Sequence, residues 1–150
     1  MNYTCEIEID KPRDEVVKLF DDPENFKYWQ KGFISYKHVS GEPGKPGAES
    51  LLNYQMGKRK VEMVETITFN DLPKEFHANF IASGVTNIQK NYFHELGEKT
   101  KWVSESEFKF TGFMKFVSFF MGKGAFKKQS VSYMEDFKAY AEGNPKYGKD

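Results

Sequence analysis

The sequence predicts an α+β fold in which a curved antiparallel sheet of about seven strands wraps on a long C-terminal helix. Three observations carry this. Residues 33–110 alternate apolar and polar side chains with period two and are cut by short turns, as strands of a meander are. After Gly112 the period becomes helical. Two aspartate–proline signals follow the first alternating run and mark two short helices there. At 150 residues, the chain suits one domain. We place that domain at 1–142 and expect 143–150 to be a flexible tail.

Taken in order, Tyr3, Cys5, Ile7 and Ile9 alternate with Thr4, Glu6 and Glu8 in the first strand. Asp10 then stands as the cap of a short helix with Pro12 in its first turn, where the missing N–H is harmless. Asp22-Pro23 opens the second short helix, in which Phe26 and Trp29 share a face. Phe33–Ser40 is a strand, and the glycine–proline run 41–47 is a rigid connector. Its prolines lack the N–H groups a phosphate cradle needs. Ser50, Leu52 and Tyr54 form one inward row; Val61, Met63, Glu65, Ile67 and Phe69 form the next. Phe76, Ala78, Phe80 and Ala82 follow. The strand near 85–96 has no readable register, because Tyr92 and Phe93 are adjacent and point opposite ways. Trp102, Ser104, Ser106, Phe108 and Phe110 face one way in the last strand. A short helix over 113–121 is broken at Gly122-Lys123-Gly124, and a longer one runs from Ala125 to Glu142 with Phe126, Ser130, Met134, Phe137 and Ala141 on one stripe.

Composition narrows the function. There are 22 basic and 22 acidic residues; this balance argues against a general nucleic-acid or anionic-membrane binder. One cysteine, Cys5, allows no internal disulfide and fits a reducing compartment. No signal-peptide pattern and no transmembrane run are evident, so a cytoplasmic protein is expected. The apolar material is aromatic, with 15 Phe, 8 Tyr and 2 Trp, each able to bury a large area.

His38, His77 and His94 lack metal-ligand spacing, and neither a metal nor a cofactor is expected. Cys5 falls on an inward strand position and reads as a small hydrophobe. Glu65 falls on an apolar face, where a carboxylate is costly and its pKa rises. Such a group can act as an acid or base or hold a polar head. The economical alternative is an ion pair, or a bulge that turns it outward. Ser104, Ser106 and Ser130 are small among bulky rings. They either line a pocket beside Tyr54, Tyr92, Trp102 and Met134, or sit under phenylalanines that fill the space. The window Phe113–Met121 is apolar all round. It is a cap on a pocket mouth, a membrane or dimer contact, or a packed corner of the core.

At this level the chain resembles the START-related, birch-pollen-allergen-like superfamily, of bacterial type, with the helix-grip fold (SRPBCC, polyketide cyclase/dehydrase-like). The stretches that carry the resemblance are Ile9–Val16 running on to Asp22-Pro23 and Trp29, the loop Gly41–Gly44, Met63–Ile67 leading to Leu72-Pro73, and the last helix with Met134, Phe137 and Lys138. The resemblance implies a START-like domain that binds a small hydrophobic or amphipathic molecule, lipid- or polyketide-like, between sheet and last helix, without catalysis. The expected lining is Tyr54, Met63, Glu65, Phe80, Tyr92, Trp102, Ser104, Ser106, Phe108, Phe120, Phe126, Ser130, Met134 and Phe137. The alternatives are a cyclase/dehydratase-type enzyme using Glu65 or His94 as acid or base, and a protein-interaction module using 113–121. The expected partner is a small hydrophobic ligand, with no nucleic acid, and a homodimer is the further option.

Overall fold

The computed structural model describes residues 1–148. Seven strands form one antiparallel sheet: β1 (Asn2–Ile9), β2 (Phe33–Ser40), β3 (Glu49–Met56), β4 (Arg59–Asp71), β5 (Glu75–Ala82), β6 (Val85–Leu96) and β7 (Lys99–Phe110). Their order is β1-β7-β6-β5-β4-β3-β2. Consecutive strands from β2 to β7 are neighbours, as short turns dictate, and β1 closes the row against β7 with Cys5 opposite Ser104. Helix α1 (Arg13–Asp21), a 3-10 turn (Pro23–Asn25) and α2 (Phe26–Trp29) follow β1, and α3 (Phe113–Ala141) ends the domain. This is the helix-grip arrangement.

Local chemistry explains most boundaries. The Asp22 carboxylate accepts from the Glu24 N–H at 2.9 Å and caps the 3-10 turn. Asp10 does not cap α1. Pro12 holds the cap position, and the Asp10 N–H instead donates to Glu142 at the far end of the chain, at 2.7 Å. Gly122 sits at φ 74° and ψ 166° inside α3, a conformation open to glycine alone at little cost. The helix therefore breaks where the sequence places the break. Lys138 Nζ donates to the Glu8 carbonyl at 2.7 Å and pairs with Glu142 at 2.6 Å, so the C-terminal half of α3 is fastened to β1. Of the expected tail 143–150, residues 149 and 150 lie outside the described residues; within the rest, Tyr147 donates to the Asp136 carboxylate at 2.8 Å.

One sequence-based row needs correction. Phe69 does not continue the inward face of β4. A bulge between Ile67 and Phe69 shifts the register by one residue, and a single extra residue reverses every later side chain. Phe69 is exposed and packs beside His77 on the outer face. The core is an aromatic cluster at the α1/α2 end of the sheet. Phe20 lies edge-on to Phe93 at 5.1 Å and to Trp102 at 5.5 Å, and Phe137 is edge-on to Trp29 at 4.9 Å. Each such pair adds about 0.5–1.5 kcal/mol beyond its buried area. The rings fill part of the space between the sheet and the helices.

Candidate functional site

Between the concave sheet face and α3 lies a cavity of about 580 Å³, within the range typical of small-molecule sites. Its apolar wall includes Phe20, Leu52, Met63, Phe80, Phe108, Phe126 and Met134. Rings and methyl groups face it because the strands alternate and because α3 turns its apolar stripe to the same space.

Beside that wall runs a strip of amides. Asn87, Gln89 and Asn91 occupy alternate, inward positions of β6 and all line the cavity. Trp102 Nε1–H donates to Asn91 Oδ1 at 2.9 Å. The Asn91 amide donates to Gln89 Oε1 at 3.2 Å, Gln89 donates to Asn87 Oδ1 at 3.2 Å, and Asn87 donates to the Glu107 carbonyl at 3.3 Å. Alternate residues on a strand stand about 6.8 Å apart, which Asn and Gln side chains can bridge. Buried polar groups survive when they are bonded in this way. None of these three residues is in the sequence-based lining, because polar side chains at unassigned positions read as solvent-facing. The signal was there in their spacing of two with Phe93.

Glu65 stands opposite Ser50 on β3 and Phe80 on β5 and lines the cavity. Among the described residues no ion pair relieves it, and no bulge turns it outward; the bulge begins only past Ile67. Burial, with a smaller push from the charge of Asp21, raises its pKa from 4.5 to about 7. Tyr54 donates to Gln30 Oε1 at 2.6 Å, and burial raises its phenol pKa as well. Ser130 shares a 2.7 Å hydrogen bond with the Tyr3 hydroxyl, which itself donates to the Phe126 carbonyl at 3.1 Å.

Of the expected lining, Tyr54, Met63, Glu65, Phe80, Trp102, Ser104, Phe108, Phe126, Ser130 and Met134 come together around this space. Four lie elsewhere. The register of β6 sends Phe93 inward, so Tyr92 is on the outer face against His77. Ser106 is buried opposite Tyr3, which covers it. Phe137 is wholly buried in the aromatic cluster. Phe120 is 82% exposed on the short first segment of α3. His94, like Tyr92, is on the outer face and exposed, far from any acid–base role in the cavity. Among the described residues no three His, Cys, Asp or Glu side chains gather as metal ligands would, and no helix is long and apolar enough to cross a membrane.

No protein-family model matches the chain, and no curated protein matches it. Solved structures do. A conserved protein from Geobacillus kaustophilus superposes with a TM-score of 0.78 at 15% identity, over 99% of this chain and 100% of its own. An aromatase/cyclase from a Streptomyces species gives 0.77 at 12% identity, over 95% and 93%. A START superfamily protein from Mycobacterium smegmatis gives 0.70 at 12%, over 95% and 94%. At these identities the likeness establishes the fold, over nearly the whole of each chain.

Proposed function

We propose that this protein binds a small amphipathic molecule in the cavity between the sheet and α3, holding it without chemical change. The observation that carries the reading is the pairing of an apolar wall with an amide strip in one space of about 580 Å³. Apolar burial supplies affinity at ~25 cal/mol per Å². The amides, each with hydrogen-bonding capacity beyond the one chain of bonds, supply orientation. The favoured guest is a lipid- or polyketide-like molecule with polar groups along one edge. The fold shared with a START superfamily protein and an aromatase/cyclase supports the same class of guest.

Native mass spectrometry of freshly purified protein tests this. A retained adduct, released on denaturation, is expected. Ser104→Phe, which fills the cavity from β7, should lose the adduct while keeping the fold. A bare wild-type chain that also fails to take up lipid- or polyketide-like compounds would end the proposal.

A second reading rests on Glu65. A carboxyl with a pKa of about 7 facing the cavity has the poise of a general acid or base. Under that reading the protein is a cyclase- or dehydratase-type enzyme, and Glu65→Gln abolishes turnover of a polyketide-like substrate while leaving its binding intact.

A further inference from the structure

The first segment of α3 carries four phenylalanines that the fold leaves in solvent. Phe113 is 78% exposed and Phe119 83%, with Phe116, Phe120 and Met121 beside them. Chains of this size rarely leave so many large apolar groups contiguous without a partner. Their electrostatic setting indicates what that partner is. Between Glu107 and Glu135 the sequence has five lysines and no acidic residue. Lys115, Lys123, Lys127 and Lys128 are exposed, and among the described residues none has a carboxylate partner within salt-bridge distance. The β3–β4 hairpin, with exposed Lys58, Arg59 and Lys60, turns at the same end of the sheet as the β5–β6 hairpin and the close of β7, from which α3 departs. At the opposite end basic and acidic groups are mixed: Lys11, Arg13 and Lys18 stand among Asp14, Glu15 and Asp21, Lys74 lies in the Asp71–Glu75 turn, and Arg13 pairs with Glu95. Zero net charge thus conceals a local basic excess at the end from which α3 departs.

We propose that this end of the molecule docks on an anionic phospholipid bilayer, with the phenylalanines entering the interface and the lysines lying against the headgroups. An apolar helical face flanked by lysines is the form that interfacial segments take, and each basic group near an anionic surface adds separately to binding. A nucleic-acid partner is less favoured: residues 113–121 offer one lysine and no arginine, asparagine or glutamine to reach base edges, among four exposed phenylalanines. Part of the cavity wall lies at the same end. Val85 and Phe126 line it there, and Met114 of the apolar segment lies against the β5–β6 turn, where a Cβ on Gly84 would come within 2.7 Å of it. The glycine break at Gly122 joins the docking segment to the cavity-lining part of α3. Docking stands on the surface alone and does not require that the cavity hold a guest.

The test is co-sedimentation of the full chain with vesicles of phosphatidylcholine alone and with phosphatidylglycerol mixed in. The wild type is expected to bind the anionic vesicles, to release as salt rises, and to ignore the neutral ones. The F119D/F120D double variant should weaken binding by about tenfold or more, and K127E/K128E by a similar factor. The second pair changes only exposed lysines, so it keeps the test alive should the first misfold. Absence of binding to anionic vesicles at low salt overturns the proposal. So does equal binding by the wild type and both variants. A concentration-dependent dimer, or retention of single-stranded nucleic acid, that F119D/F120D abolishes without any vesicle binding would assign the segment to that partner instead and equally overturn it.

Discussion

Replacing Glu65 with Gln changes one proton-binding group and little volume, so its effect can be worked out from the site. The carboxyl pKa is about 7 in the folded chain against 4.5 unperturbed. The folded state therefore holds more protons than the unfolded state between these values, and stability falls as pH rises through that window. A difference of 2.5 units corresponds to an upper value of about 3 kcal/mol once pH exceeds 7. Below pH 4.5 the penalty is absent. Glu65→Gln removes the charge, so the variant should exceed the wild type by less than about 1 kcal/mol at pH 5 and by nearly the full amount near pH 8.5. In a domain of this size that excess is a rise in Tm of about 6–12 °C. Urea unfolding of ligand-free protein at pH 5, 7 and 8.5 measures it directly. A difference that does not change with pH, or a variant weaker than the wild type at high pH, would mean that the carboxylate has a stabilising partner, and the reasoning would fail.

The other predictions concern packing. Asn91→Ala leaves the buried Trp102 N–H without its acceptor and should cost about 1–3 kcal/mol, read as a lower urea midpoint with unchanged slope. Phe137→Ala empties a fully buried site between Trp29 and Trp102 and should cost about 3–5 kcal/mol, seen by calorimetry. Gly32→Ala faces both a φ of +75° and a Cβ that would stand 2.1 Å from the Gln55 carbonyl oxygen. It should lose at least about 2 kcal/mol, or fail to accumulate in soluble form; a melting curve like that of the wild type would show that the β2 entrance can yield.

Much of this arrangement was legible because two periodicities are physical necessities. The alternation in 101–110 and the helical stripe from Phe126 to Ala141 report which faces leave water, and Glu65 stood out as a charge in an apolar row. Phe69 departs from the alternation because a bulge is an event of pairing between two strands, and neither strand announces it alone. Tyr92 and Phe93 were undecidable because both rings suit either face of a sheet. Only the neighbours, Trp102 opposite Phe93 and Glu75 opposite Tyr92, select one. The amides of β6 went unseen for a related reason: a polar side chain belongs inside only when others are there to bond it. Phe120 shows the reverse error. Its apolar ring points to the interior by sequence, and the break at Gly122 takes it away.

The row of side chains joining Trp102 to Glu107 has a further property. An indole nitrogen can only give a proton and a peptide oxygen can only receive one, so both termini of the row are committed. Turning over any single amide between them would set two like groups face to face, and turning over all three would strand both ends. The polarity of the row is thus locked by its anchors, and the vacant lone pairs and N–H bonds it shows to the interior come in a set sequence. A visitor entering head first and one entering tail first would not be met alike. The hollow has an arrow drawn on its floor.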